Sequence, residues 1–150
     1  MGQTGTLDET TTAAGRLLLE ALGEESPARS LSRLTGSPRA ARLLRELFTV
    51  AVRRSFVGRD PRDVTDYVRD LLHYQELPAA GEIARESEAV IRSVLGEPEL
   101  AYAIPDPRRL ELICFVVGDL VRPPGVPTAE LRSLVHQAEW RLARSDRSSR

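Results

Sequence analysis

SPRAARLLRELFTVAVRRSF, residues 37–56, is the stretch on which the fold turns. At about 100° per residue, Ala40, Ala41, Leu43, Leu44, Leu47, Phe48, Val50, Ala51 and Val52 gather on one broad side. Arg39, Arg42, Arg45, Glu46, Thr49 and Arg53 gather on the other. The pattern is that of an amphipathic helix, with one side able to bury a core face and the other an arginine stripe. Ser37-Pro38 opens it. A hydroxyl accepts a hydrogen bond from a free N–H of the first turn, and proline suits the first helical position, where no backbone donor is needed. The same device recurs at Asp60-Pro61-Arg62 and Asp106-Pro107-Arg108. Each stands ahead of an apolar-periodic segment, and together they set an all-α reading.

Upstream, a helix is expected from about Thr12 to Leu22, with Leu18, Leu19 and Leu22 as apolar positions and Gly23 as its stop. A short helical piece follows at Pro27–Leu34 and is broken by Gly36. Downstream, Asp60 caps a helix to about Tyr74, with Val64, Tyr67, Val68, Leu71 and Leu72 inward. The next runs from about Ala79 to Leu95, with Ile83, Ala84, Val90, Ile91 and Val94 inward. From Asp106 the chain reads DPRRLELICFVVGDLV, and Leu112–Val117 is apolar on every side. Its β-branched content permits a strand there, but the cap and the length favour a central helix. RPPGVP, residues 122–127, is a rigid turn, and the last helix runs from Thr128 to about Arg144. The expectation is a single irregular bundle of about five to six helices over residues 12–144. Its core is built on Leu43–Val52 and Leu112–Val121, between a disordered N-terminal segment, 1–11, and a disordered tail, 145–150.

Composition bounds the function classes. One hundred and fifty residues, 41% hydrophobic and 29% charged, suit one globular domain with a core of its own. All 21 basic residues are arginine, and asparagine is absent as well. Both lysine and asparagine need A-rich codons, so the chain reads as the product of a high-GC genome, bacterial in origin. The single cysteine, Cys114, lies in an apolar run and reads as a buried, inert thiol. The N-terminus has no apolar signal core, and no run approaches the ~18 apolar residues of a membrane span. A cytoplasmic protein with no membrane partner is expected. Gly2 followed by Thr6 fits the myristoylation pattern, which we read as coincidence in a bacterial chain. The net charge of −1 conceals an asymmetry: residues 27–62 hold nine arginines against Glu46 and Asp60, while residues 63–140 hold seven arginines against fourteen acids. Two such blocks attract each other or show opposite faces to different partners.

Four features compete for a functional reading. The first is the arginine stripe. A short helix, Gly36 and a second helix opening on Ser37 and Arg39 have the outline of a helix-turn-helix. Arg39, Arg42, Arg45 and Arg53 would then meet base edges or phosphates. The bland reading is a solvated or ion-paired face. The second is Arg54, which projects onto the apolar side of its helix and needs a carboxylate; Asp119 is the matching oddity, and a buried Arg54–Asp119 ion pair is expected. The third is the pair of His/Glu spacings, His73…Glu76 and His136…Glu139. A metal site in a bundle needs both pairs to point inward, and here neither does, so no metal is assigned. The fourth is Trp140, nearly opposite the apolar stripe of Leu131, Leu134, Val135, Ala138 and Leu142, with His136 and Arg144 each one turn away. Trp and Arg are enriched at interface hot spots, so Trp140, His136 and Arg144 are the candidate partner contact.

No GxSxG elbow and no phosphate-binding glycine loop is present, and no catalytic residue or cofactor is assigned. The expected function is a non-catalytic protein-interaction or regulatory module, binding a protein partner or a second copy of itself. The alternative is a small DNA-binding regulator using residues 28–53.

Overall fold

The computed structural model describes residues 12–22, 32–78, 81–121 and 128–149. Among these the secondary structure is entirely helical. Helix α1 is Ala13–Leu22, α2 Pro38–Phe56, α3 Pro61–Tyr74, α4 Glu82–Ser93, α5 Asp106–Val121 and α6 Thr128–Ser148, with a 3-10 turn at Pro98–Ala101. Residues 32–35 form a further helical turn ahead of Gly36. The all-α bundle expected from the periodicity is therefore the fold. The expected disordered segment 1–11, the beginning of the piece at Pro27 and the turn at 122–127 lie outside the described residues.

The caps form where the sequence signals them. Ser37 is extended (φ −135°, ψ 102°), and its hydroxyl accepts from the Ala40 N–H at 3.2 Å. Asp60 accepts from the Arg62 N–H at 2.9 Å in the same way. Each interaction offsets one donor that the first helical turn leaves unpaired. The third signal works differently. α5 already includes Asp106, and the Arg109 N–H donates to the Pro105 carbonyl at 2.9 Å. Asp106 instead pairs with Arg109 inside the first turn.

α2 is the hub. It packs along α6, α5 and α1; α3 packs on α4, α4 on α5, and α1 also on α6. Leu43, Leu44, Leu47, Phe48 and Val52 of α2 are buried to within 1% of completely. They face Leu112, Val116 and Val117 of α5 and Val135 and Ala138 of α6 in one continuous core. Truncating Phe48 to alanine there would cost about 3–5 kcal/mol, the lost transfer energy plus the cavity left behind. The apolar run of α5 is helical, and its burial on several sides accounts for the weak amphipathic pattern of that segment.

One boundary differs from expectation. α6 continues past Arg144 to Ser148, so residues 145–148 are helix rather than a disordered tail. The reason is Asp146. Its carboxylate is held against α2, which orders a turn that the polar composition of SDRSSR does not announce.

Candidate functional site

The surface is organised by α2 and α6, which lie antiparallel and are laced by ion pairs. Arg39 and Arg42 both donate to Asp146, at 2.7 and 2.6 Å. Glu46 accepts from Arg141 at 3.4 Å, and Arg54 pairs with Glu130. As the α2 partner advances from 39 to 54, the α6 partner retreats from 146 to 130. These pairs are partly exposed, so each contributes little stability; they follow the register in which the two long helices pack. The arginine stripe is thereby divided. Arg39 and Arg42 are engaged by a carboxylate. Arg45 instead borders a crevice of about 180 Å³ toward α4 and α5, and Arg53 borders a cleft of about 440 Å³ beside the end of α4. Among the described residues a helical turn at 32–35 precedes Gly36 and α2, and the N-terminal guanidiniums of α2 that would read a groove are turned onto Asp146.

The same lacing sorts the charges of α6 by face. Its three acids are all directed at neighbouring helices: Glu130 to Arg54, Asp146 to Arg39 and Arg42, and Glu139 to the Thr12 N–H at 3.0 Å. Glu139 thus anchors the start of α1, where the Thr12 hydroxyl caps by accepting from the Gly15 N–H. Arg132, Arg144 and Arg147 are exposed, with His136 among them; Arg141 is exposed too but turned to Glu46 of α2. The outer face of α6 is therefore cationic. Trp140 stands in its middle, 57% exposed. The Arg144 guanidinium lies 4.9 Å from the ring centroid, a cation–π contact that leaves most of the indole open to solvent. The three residues singled out from the helical projection, His136, Trp140 and Arg144, lie exposed on this one stripe.

The expected Arg54–Asp119 ion pair does not form. Arg54 is exposed and reaches across to Glu130, its long side chain escaping the apolar face of α2 at the edge of the α6 contact. Asp119 accepts instead from the Tyr67 hydroxyl, at 2.6 Å. Tyr67 packs edge-on against Phe56, with ring centroids 5.3 Å apart at 71°. Burial first, and the Asp119 hydrogen bond second, push the Tyr67 phenol well above the ordinary tyrosine range. A phenol satisfies a part-buried carboxylate without desolvating a second charge, which a buried ion pair would require.

His73 and His136 are both exposed. Among the described residues no group of three or more His, Cys, Asp or Glu gathers in a way that could hold a metal ion. Cys114 is buried in α5, where desolvation, reinforced by the Glu111 charge, pushes its thiol up to about 12. No helix of the described residues is long and apolar enough to cross a membrane. In comparison with known proteins, the chain matches no protein-family model, no curated protein and no solved structure.

Proposed function

We propose that this protein is a non-catalytic, helical interaction module, acting as an adaptor or regulator in the cytoplasm, whose contact surface is the outer face of α6. The observation that carries the reading is the exposure of Trp140 on a face from which every acid of the helix has been turned away. An indole left in water is an anchor awaiting a pocket, and arginine and tryptophan are the residue types that dominate interface energetics. The partner is accordingly an acidic protein surface with an apolar recess. The surrounding arginines steer it and enforce register, and Trp140 supplies most of the affinity.

The DNA-binding reading ranks second. It requires Arg39 and Arg42 to be open at the head of α2, and Asp146 occupies both. Arg45 and Arg53 remain, too few to supply the phosphate contacts of a whole reading head.

Trp140 is the only tryptophan, so its emission reports this surface alone. Titration with an acidic amphipathic peptide of Glu and Leu should shift that emission to the blue. A matched Lys/Leu peptide should not, and Arg144→Glu should weaken the response about tenfold, the scale of one charge-assisted contact. A response to duplex DNA but not to the acidic peptide would replace this reading with the nucleic-acid one. Concentration-dependent dimerisation that fails in Trp140→Ala would identify the partner as a second copy.

A further inference from the structure

The cleft beside Arg53 lies away from the α6 face and is a built feature. It occupies about 440 Å³ between the α2–α3 turn and the end of α4, within the range of small-molecule sites. Its floor is apolar: Phe56 and Val64 are almost completely buried beneath it, and Leu95 forms the opposite side. Its two rims are turns that need glycine. Gly58 has φ +78° and Gly96 φ +117°, and a Cβ at either position would meet no neighbouring atom. The glycines are therefore required by backbone conformation rather than by space, and the shape of the cleft is set by the two turns.

The charge in the cleft is one-signed once its internal pairs are removed. Arg92 is held in a two-pronged contact by Glu97, at 2.7 and 2.8 Å, and also faces Glu88 at 3.6 Å, so its charge is fully taken up by these acids. Asp60, next to the rim, caps α3 and is not among the residues that line the cleft. Arg53 and Arg59 remain, with no carboxylate partner among the described residues. Arg53 touches the Val94 carbonyl through Nε alone, at 3.5 Å, which tethers the guanidinium at the cleft while leaving its terminal nitrogens available. Two guanidiniums above an apolar floor complement a molecule with an anionic head and a hydrophobic body. A purely inorganic anion would leave the floor unused, and a neutral hydrocarbon would leave both cations unused.

We infer that this cleft binds a small carboxylate carried on an apolar body, an acid of the aliphatic or aryl-aliphatic kind. Its head lies between Arg53 and Arg59, and its tail rests on Phe56, Val64 and Leu95. This does not depend on the α6 reading, and Trp140 is not part of the cleft.

The test is a titration of the full-length, isotope-labelled protein with octanoate, followed by amide NMR signals, with octylammonium and inorganic phosphate as matched probes. The Gly58 and Gly96 amides should shift saturably with octanoate, with a dissociation constant on the order of 1 mM for so small a ligand. Octylammonium and phosphate should not produce that saturation. The double substitution Arg53→Gln/Arg59→Gln should weaken binding about tenfold, as loss of charge-assisted hydrogen bonds does. Val57→Glu, a repulsive carboxylate on an exposed rim residue, should weaken it similarly and serves if the double variant fails to fold. The proposal is overturned by any of four results. These are no saturation up to ~10 mM, an equal response to octylammonium or phosphate, shifts confined to the Trp140 indole, or unchanged affinity in a folded variant.

Discussion

The carboxylate of Asp146 lies 2.6 Å from a guanidinium nitrogen of Arg42, joining the last turn of α6 to the N-terminal part of α2 across 104 residues of sequence. The hydrogen bonds from Arg39 and then Arg42 hold the Asp146 carboxyl below its ordinary range. A depressed carboxylate contributes above its unfolded value, near 3.9, and that contribution is lost as pH falls through the native one. At neutral pH the contact is complete, and the two arginines are masked. Asp146→Ala should therefore unmask them. In a salt series with duplex DNA, the slope of log affinity against log salt should steepen by about two relative to wild type. Thermal stability should change little, because the contact is exposed. An unchanged slope would mean that Arg39 and Arg42 do not reach phosphate even when released.

Tyr67 makes an alkaline prediction. Its phenol is held in the protonated form by burial and by Asp119, so its native pKa is raised. The sign follows. Its contribution is fully present below the unfolded value near 10 and is lost as pH rises beyond it, because the unfolded state releases a proton that the native state retains. Urea unfolding at pH 9 and at about pH 11 should show wild type losing stability across this interval. Tyr67→Phe should lose less across it, while costing about 1–2 kcal/mol at neutral pH through the hydrogen bond removed from Asp119. Parallel pH profiles would disprove the assignment.

Cys114 should be silent in the folded protein. With its thiol pushed up to about 12, the thiolate fraction near neutrality is negligible, and the residue is buried in the core. An aromatic disulfide reagent at mildly alkaline pH should react only in step with unfolding, accelerating as urea crosses the transition. Rapid stoichiometric reaction in the native protein would show that α5 opens locally.

Ser87 is completely buried in α4, and its hydroxyl has no hydrogen-bond partner among the described residues. An unsatisfied buried hydroxyl costs about 1–3 kcal/mol, and alanine has the better helix propensity. Ser87→Ala should stabilise the protein by about 1 kcal/mol, raising the melting temperature by roughly 2–4 °C on calorimetry. A lower melting temperature would mean that the hydroxyl is satisfied in solution.

Much of the fold could be read locally because its signals are local. Ser37 and Asp60 cap the helices that they precede, and the apolar side of residues 40–52 is the side that enters the core. Proline at the first helical position, a short polar cap and a 3.6-residue period each act within a few residues, and no distant contact is needed to interpret them. The outward projection of Trp140 was legible for the same reason: once Leu134, Val135, Ala138 and Leu142 face inward, the geometry of a single helix carries the indole to the other side.

What tertiary structure decided is which charge meets which. Arg54 went to Glu130 and Asp119 to Tyr67, although each looked like the other's partner on a helical projection. Asp146, in a tail that reads as unstructured, became the residue that masks two arginines. Arg53 and Arg59 came to share a cleft because two glycine turns brought the ends of α2 and α4 together. Long charged side chains are indifferent to the period of their own helix. Their partners are chosen by the register in which helices pack, and that register is set by the fit of Leu44, Phe48 and Val52 against distant segments. The sequence by itself determined the helices and their buried faces, because backbone hydrogen bonding and hydrophobic period are properties of neighbouring residues. The pairing of charges, and with it the cationic face of α6 and the cleft, was decided only once the core had closed.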